Sequence, residues 1–296
     1  METILLTKGL TKHYGRIRAV DGLHLNIKKG SVFGILGPNG SGKTTTLGMV
    51  LDVINKTSGS YLWFGEAPTK EHRKKIGAIL ETPIFYPYLS GAKNLELVCD
   101  IKDVAYSRIA EVIEQVGLTN RAEDKFRTYS LGMKQRLSIG SALLCNPEVM
   151  ILDEPTNGLD PQGIAAIREL IIEIAKSGKT IILASHLLDE VQKVCTEFAV
   201  LKNGKLIYSG KVADVTKGEV AVEVMAKEPI EDILNNAEFI LTVKFEGEKY
   251  IITLKEGSDA SAVSKLLIDN GIIASHLFTV HKSLEKQFLE ILNESV

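Results

Sequence analysis

Apolar runs long enough to cross a bilayer are missing from this 296-residue chain; none approaches the roughly 18–20 residues that a membrane helix needs. Cysteine is scarce, at three residues, and Cys99, Cys145 and Cys195 lie too far apart for metal-ligand spacing. That distribution reads as reduced, mostly buried thiols in a cytosolic setting. The N-terminus carries no signal-peptide pattern. A basic surplus is absent too: 35 Lys and Arg stand against 37 Asp and Glu, a formal net charge of −2. The basic stripe of a nonspecific nucleic-acid binder is therefore not expected. With 45% hydrophobic and 24% charged residues, the chain reads as globular, with room for one domain of about 200 residues and a smaller one. Any service to a membrane is expected to run through a partner, from the inside.

The strongest positive signal is Gly37-Pro38-Asn39-Gly40-Ser41-Gly42-Lys43-Thr44, which fits G-x-x-x-x-G-K-[ST]. It follows the apolar run Val32–Leu36, where a strand should feed it. Polyphosphate carries several charges that need closely spaced donors. Glycines let backbone N–H groups turn inward, and the following helix adds its positive end. Lys43 is expected to reach the β- and γ-phosphates of a nucleotide and Thr44 to ligate Mg²⁺, with Thr45 counted in the cradle. Taken alone, the motif could still be a glycine-rich turn that binds nothing.

Residues 148–155 read E-V-M-I-L-D-E-P, an apolar strand ending in two carboxylates. Neighbours on a strand point to opposite sides, so Asp153 and Glu154 suit different posts. Asp153 fits a Mg²⁺ shell, since that ion keeps much of its water and takes few carboxylates. Glu154 fits the attacking water, as general base or orienting group. Upstream, Tyr129-Ser130-Leu131-Gly132-Met133 precedes Lys134-Gln135-Arg136 and an apolar segment to Leu144. Ser130 is a good helix N-cap, and the N–H groups behind it make an anion site.

These motifs, in this order, resemble the ATP-binding cassette (ABC) family. Ser130 and Gly132 match its L-S-G-G-Q signature, while Leu131 and Met133 replace the first glycine and the glutamine. The resemblance implies that the Ser130 helix end faces the γ-phosphate held by an opposite subunit, each cassette being half of a composite site. By the same resemblance His186, after the apolar strand Lys179–Ala184, contacts the γ-phosphate. Tyr14 stacks on adenine, a contact worth roughly 1–3 kcal/mol in nucleic-acid systems. Asp160, in Gly158-Leu159-Asp160, joins the nucleotide-binding set. Glu81 stands where cassettes usually carry a glutamine that reaches Mg²⁺. That glutamate, with E-T-P-x-F-Y-P after it and S-L-G-M-K-Q-R later, is similar to the bacitracin-resistance and lantibiotic-immunity exporters. The aromatics Phe85, Tyr86 and Tyr88 would then suit a groove for a short helix of a membrane subunit.

The expected fold is α/β: a P-loop ABC ATPase fold over residues 1–216, with a mixed-sheet core, an antiparallel β layer and a helical subdomain at about 82–146. Ile109, Ile113 and Val116 share one helical face there and read as core. Asp160-Pro161 opens an amphipathic helix through Lys176, and Asn203-Gly204 turns a hairpin. Beyond about Lys217 the order becomes β-α-β-β-α-β-α, ending in a helix Leu284–Leu292. That order suggests a small ferredoxin-like α+β domain over 217–296, serving dimerisation, regulation or packing. The expected function is the ATP-hydrolysing subunit of an exporter for antimicrobial peptides or other hydrophobic compounds. Its expected partners are a second copy or homologous cassette and integral-membrane permease subunits, which would hold it peripherally on the inner face of the membrane. An importer ATPase, or a soluble ABC ATPase acting on ribosomes or DNA, is the alternative.

Overall fold

Alternation in the first strand breaks at Gly9, and the break builds the N-terminal layer. The structure, a computed structural model, describes residues 2–80, 84–216, 221–255 and 257–280. Strand β1 (Thr3–Tyr14) runs for twelve residues because Gly9, at φ 57°, lets it bulge and continue. Its first half pairs with β3 (Asn26–Lys28) and β5 (Ser58–Trp63), its second with β2 (Ile17–Leu23), all antiparallel. Trp63 is buried beneath this layer, its indole N–H donating to Val50 O at 2.7 Å.

A six-stranded sheet lies at the centre of the first of two compact units, Met1–Gly210 and Lys211–Val296. Its order is β10 (Lys205–Lys211), β9 (Glu197–Lys202), β4 (Val32–Leu36), β8 (Thr180–Ser185), β7 (Val149–Asp153) and β6 (Ile76–Ile79). The ladders from β9 through β6 are parallel. A parallel sheet is covered on both faces, and accordingly every residue of β4, β7 and β8 is buried. Neither β6 nor the short α2 (Lys70–Lys74) was expected from sequence. Ile-Gly-Ala-Ile is too short a run to show a period, and its place at the sheet edge depends on packing. Gly77 has no room for a side chain, since a Cβ there would lie 2.4 Å from Ala142 O.

Helix α1 (Lys43–Val50) follows β4. The helical stretch resolves into α3 (Gly91–Lys102), α4 (Ser107–Gln115) and α5 (Leu131–Leu143). Ile109, Ile113 and Val116 are buried, as their spacing required. Asp160 caps α6 (Pro161–Lys176) by accepting from Gly163 N at 2.8 Å. Helix α7 (Leu188–Val194) follows His186. Cys99 and Cys195 are buried and Cys145 half-buried. Burial pushes both buried thiols up in pKa, which disfavours the reactive thiolate.

The second unit begins with α8 (Val212–Thr216) and forms an antiparallel sheet. Its order is β12 (Ile240–Glu246), β13 (Lys249–Leu254), β11 (Ala221–Met225) and β14 (His276–Val280). Helices α9 (Glu231–Asn235) and α10 (Ala260–Asp269) interleave in the ferredoxin-like β-α-β-β-α-β order. Val222, Val224, Ile252 and Leu254 from the sheet pack with Leu234, Val263 and Leu267 from the helices. The expected helix Leu284–Leu292 lies outside the described residues. Among the described residues no helix is long and apolar enough to cross a membrane.

Candidate active site

Three adjacent parallel strands deliver the candidate residues to one edge. In the ladders Leu36 pairs with Ser185, and Asp153 with Ala184. The chain therefore leaves β4 into the glycine loop, β8 into His186 and β7 into Glu154, all at the carboxyl ends of neighbouring strands. Open α/β sheets bind ligands at such edges.

Gly37 to Gly42 wraps tightly. A Cβ on Gly37 would lie 2.4 Å from both Leu201 O and Ser41 Oγ. One on Gly42, whose φ is 102°, would lie 2.4 Å from Ala19 O. Gly42 is the N-cap of α1 and brings no capping side chain, so the helix presents its first N–H groups to the loop. Ser41 Oγ is buried with no hydrogen-bond partner among the described residues. Such a group calls for an outside partner.

The Lys43 side chain is 5% exposed, and its ammonium donates to Gly37 O at 2.7 Å and to Pro38 O at 3.4 Å. It also lies 3.3 Å from Glu154 Oε1. Glu154 Oε2 meets His186 Nδ1 at 2.8 Å. Thr44 donates its hydroxyl to Asp153 Oδ2 at 2.6 Å. Glu154 sits in the left-handed region at φ 47°, held by its N–H bonding Ala184 O at 2.9 Å. A non-glycine residue there costs on the order of 1–3 kcal/mol and is retained where surrounding structure enforces it. The turn separates the two acids: Asp153 finishes the buried strand, while Glu154 turns toward Lys43 and His186.

Asn39, Gly40, Gly42, Lys43, Thr44, Thr45 and Glu154 line a cavity of about 500 Å³. Ile17, Arg18, Ala19 and Asn203 line it as well. Sequence reasoning missed these four. Asn203 reads as a hairpin residue, and only packing brings that hairpin against β2, Asp21 N donating to Gly204 O at 2.8 Å. Tyr14 is 47% exposed at the end of β1, with the Lys12 ammonium 4.8 Å from its ring centre. It does not line this cavity.

Ser130 and Gly132 lie elsewhere. Ser130 caps α5, accepting from Met133 N at 3.3 Å. Ser130, Gly132, Arg136, Leu159 and Asp160 line a second cavity, also about 500 Å³, completed by Gln162, Gly163, Ala166 and Ile167 of α6. The two cavities share no residue. Glu81 lies outside the described residues.

Comparison with known proteins covers the glycine loop, the Ser130 segment and the paired acids. Residues 20–157 fit the ABC transporter family model. The chain is 36% identical over 305 residues to the bacitracin transport ATP-binding protein BcrA of Bacillus licheniformis, covering 99% of this chain and 98% of that protein. It is 39% identical over 204 residues to the lantibiotic transport ATP-binding protein SrtF of Streptococcus pyogenes, covering 69% and 89%. A solved dimer of the ATP-binding cassette MJ0796, in a post-hydrolysis state bound to ADP and Pi, aligns with a TM-score of 0.63 at 27% identity. That alignment covers 71% of this chain and 99% of the cassette.

Proposed function

This chain belongs to the ABC transporter ATP-binding family and is an ATPase, and we propose that two copies, or one copy and a homologous cassette, close head to tail to complete each catalytic centre. The carrying observation is the separation of the two halves. The phosphate cradle opens into one cavity and the Ser130 helix end into another, with no lining residue in common. A cassette of the same fold is dimeric in its solved structure.

Each residue then has a post. The 37–42 loop N–H groups, Lys43 and Thr45 hold the polyphosphate, and Tyr14 stacks on the base. Across the interface, Ser130 and Gly132 meet the γ-phosphate and Asp160 supports them. Glu154 orients and deprotonates the attacking water, and His186, bonded to Glu154, contacts the γ-phosphate. Thr44 and Asp153 bring a hydroxyl and a carboxylate to 2.6 Å, a hard-oxygen set that suits Mg²⁺. Glu81 is the proposed third oxygen donor. Bound there, Mg²⁺ would offset phosphate charge.

The relatives bear on the cargo. Proteins named for bacitracin and lantibiotic transport lie at 36% and 39% identity, which supports an exporter of antimicrobial peptides or other hydrophobic compounds. Its permease would be a separate membrane protein that holds this chain at the inner face. Mixing Lys43→Ala chains with Ser130→Arg chains tests the composite site. Each variant alone is expected to be inactive, whereas mixed dimers keep one intact pairing and regain part of the turnover. No recovery on mixing would overturn the shared-site reading.

A further inference from the structure

His186 sits on a strand–helix junction. It lies between β8 and α7, a helix of seven residues without a side-chain hydrogen bond at its N-cap. Leu187 N–H donates to Ser185 Oγ at 3.0 Å, which fixes the turn but not the helix beyond it. Two of its contacts bear on where α7 sits. Val191 packs into the gap left by Gly34 of β4, where a Cβ would lie 2.7 Å from Val191 Cγ1. The other is ionic. Arg168, on α6, donates through Nε and Nη2 to the two carboxylate oxygens of Glu190, at 3.2 Å and 2.7 Å. The Glu190 side chain is 6% exposed and that of Arg168 22%.

A two-pronged pair between planar groups fixes angle as well as distance. Its location gives that rigidity a use. Asp160, the N-cap of α6, and Gln162, Gly163, Ala166 and Ile167 of its first two turns lie on the wall of the Ser130 cavity. The next residue is Arg168. One rigid helix therefore borders the signature cavity and grips the helix that follows His186.

We infer that Arg168 and Glu190 are positioning residues for ATP hydrolysis: their pair registers α7, and with it His186, against α6, so that His186 meets Glu154 in the geometry turnover requires. The inference rests on the proposed role of His186 but not on the phosphate cradle, which neither residue touches. A misplacement of about 1 Å at a reacting group costs on the order of 10²-fold in rate. Nucleotide capture depends on the glycine loop and is expected to stay intact.

The test compares ATPase kinetics of the full chain carrying Arg168→Met with Glu190→Leu, Arg168→Lys alone, and His186→Ala. The double change removes both charges and keeps the volume, so no buried charge is stranded and folding is preserved; thermal melting confirms it. The expected result is a kcat lower by about 10- to 100-fold, with KM within about twofold and an unchanged melting temperature. Arg168→Lys, which restores charge without the planar fork, should recover part of kcat. Wild-type kcat in the double variant alongside a slow His186→Ala would overturn the positioning role and leave His186 standing. A kcat loss that tracks a lowered melting temperature would reduce the pair to ordinary packing. Wild-type turnover in His186→Ala would instead overturn the reading on which the inference rests.

Discussion

Lys43, Glu154 and His186 form a chain of contacts that no single residue type predicts. The ammonium touches one carboxylate oxygen and the imidazole the other, at 3.3 Å and 2.8 Å. Glu154→Gln keeps the shape and removes the basicity. Turnover should fall by about 10²–10⁴-fold while ATP still binds, and a dimer trapped with nucleotide should appear in sizing columns. Near-normal turnover would reassign the base. Lys43→Ala removes a charged contact worth about 1.5–3 kcal/mol, so ATP affinity should weaken by roughly 10- to 150-fold, readable by titration. At this scale the sequence was informative because loops with fixed spacing carry their own geometry. The glycine loop and the paired acids announce themselves. What stayed hidden is the left-handed turn at Glu154, because its cause is a bond to Ala184 O across the sheet.

Among the elements, the parallel sheet matters most, since register alone brings the glycine loop, the paired acids and His186 to one edge. Strands β4, β7 and β8 were legible as apolar runs ahead of chemistry-bearing residues. Strand β6 was not, because its four residues owe their place to Gly77 lying under Ala142 O. The Ile17–Ala19 wall of the glycine-loop cavity was hidden for the same reason: only tertiary contact with the 203–204 turn brings it there. Gly34 offers a test of how elements transmit strain. Gly34→Ala would push its methyl against Val191 and Cys195. Overpacking of this kind costs about 1–3 kcal/mol. The variant should melt lower, and its kcat should drop more than its nucleotide affinity, because α7 is the element displaced.

For the whole molecule, the division into two units separates a chemistry-rich part from a chemistry-poor one. Composition hinted at this, since motifs stop well before the last quarter of the chain. The strand order of the second unit matches the ferredoxin-like expectation, while its purpose left no mark in residue types. Deleting residues 218–296 and measuring dimerisation, turnover and permease capture separates a regulatory role from passive packing. Unchanged values in all three would remove regulation. If each centre spans two chains, turnover per chain should also rise with protein concentration and level off. A flat response down to strictly monomeric dilution would contradict it. One earlier contact bears on how such a motor starts. On the proposed roles, the ammonium that grasps phosphate is already paired with the acid that activates water, so the two anions compete for one cation. An arriving triphosphate is then expected to displace the carboxylate, and loading the fuel to set the base free.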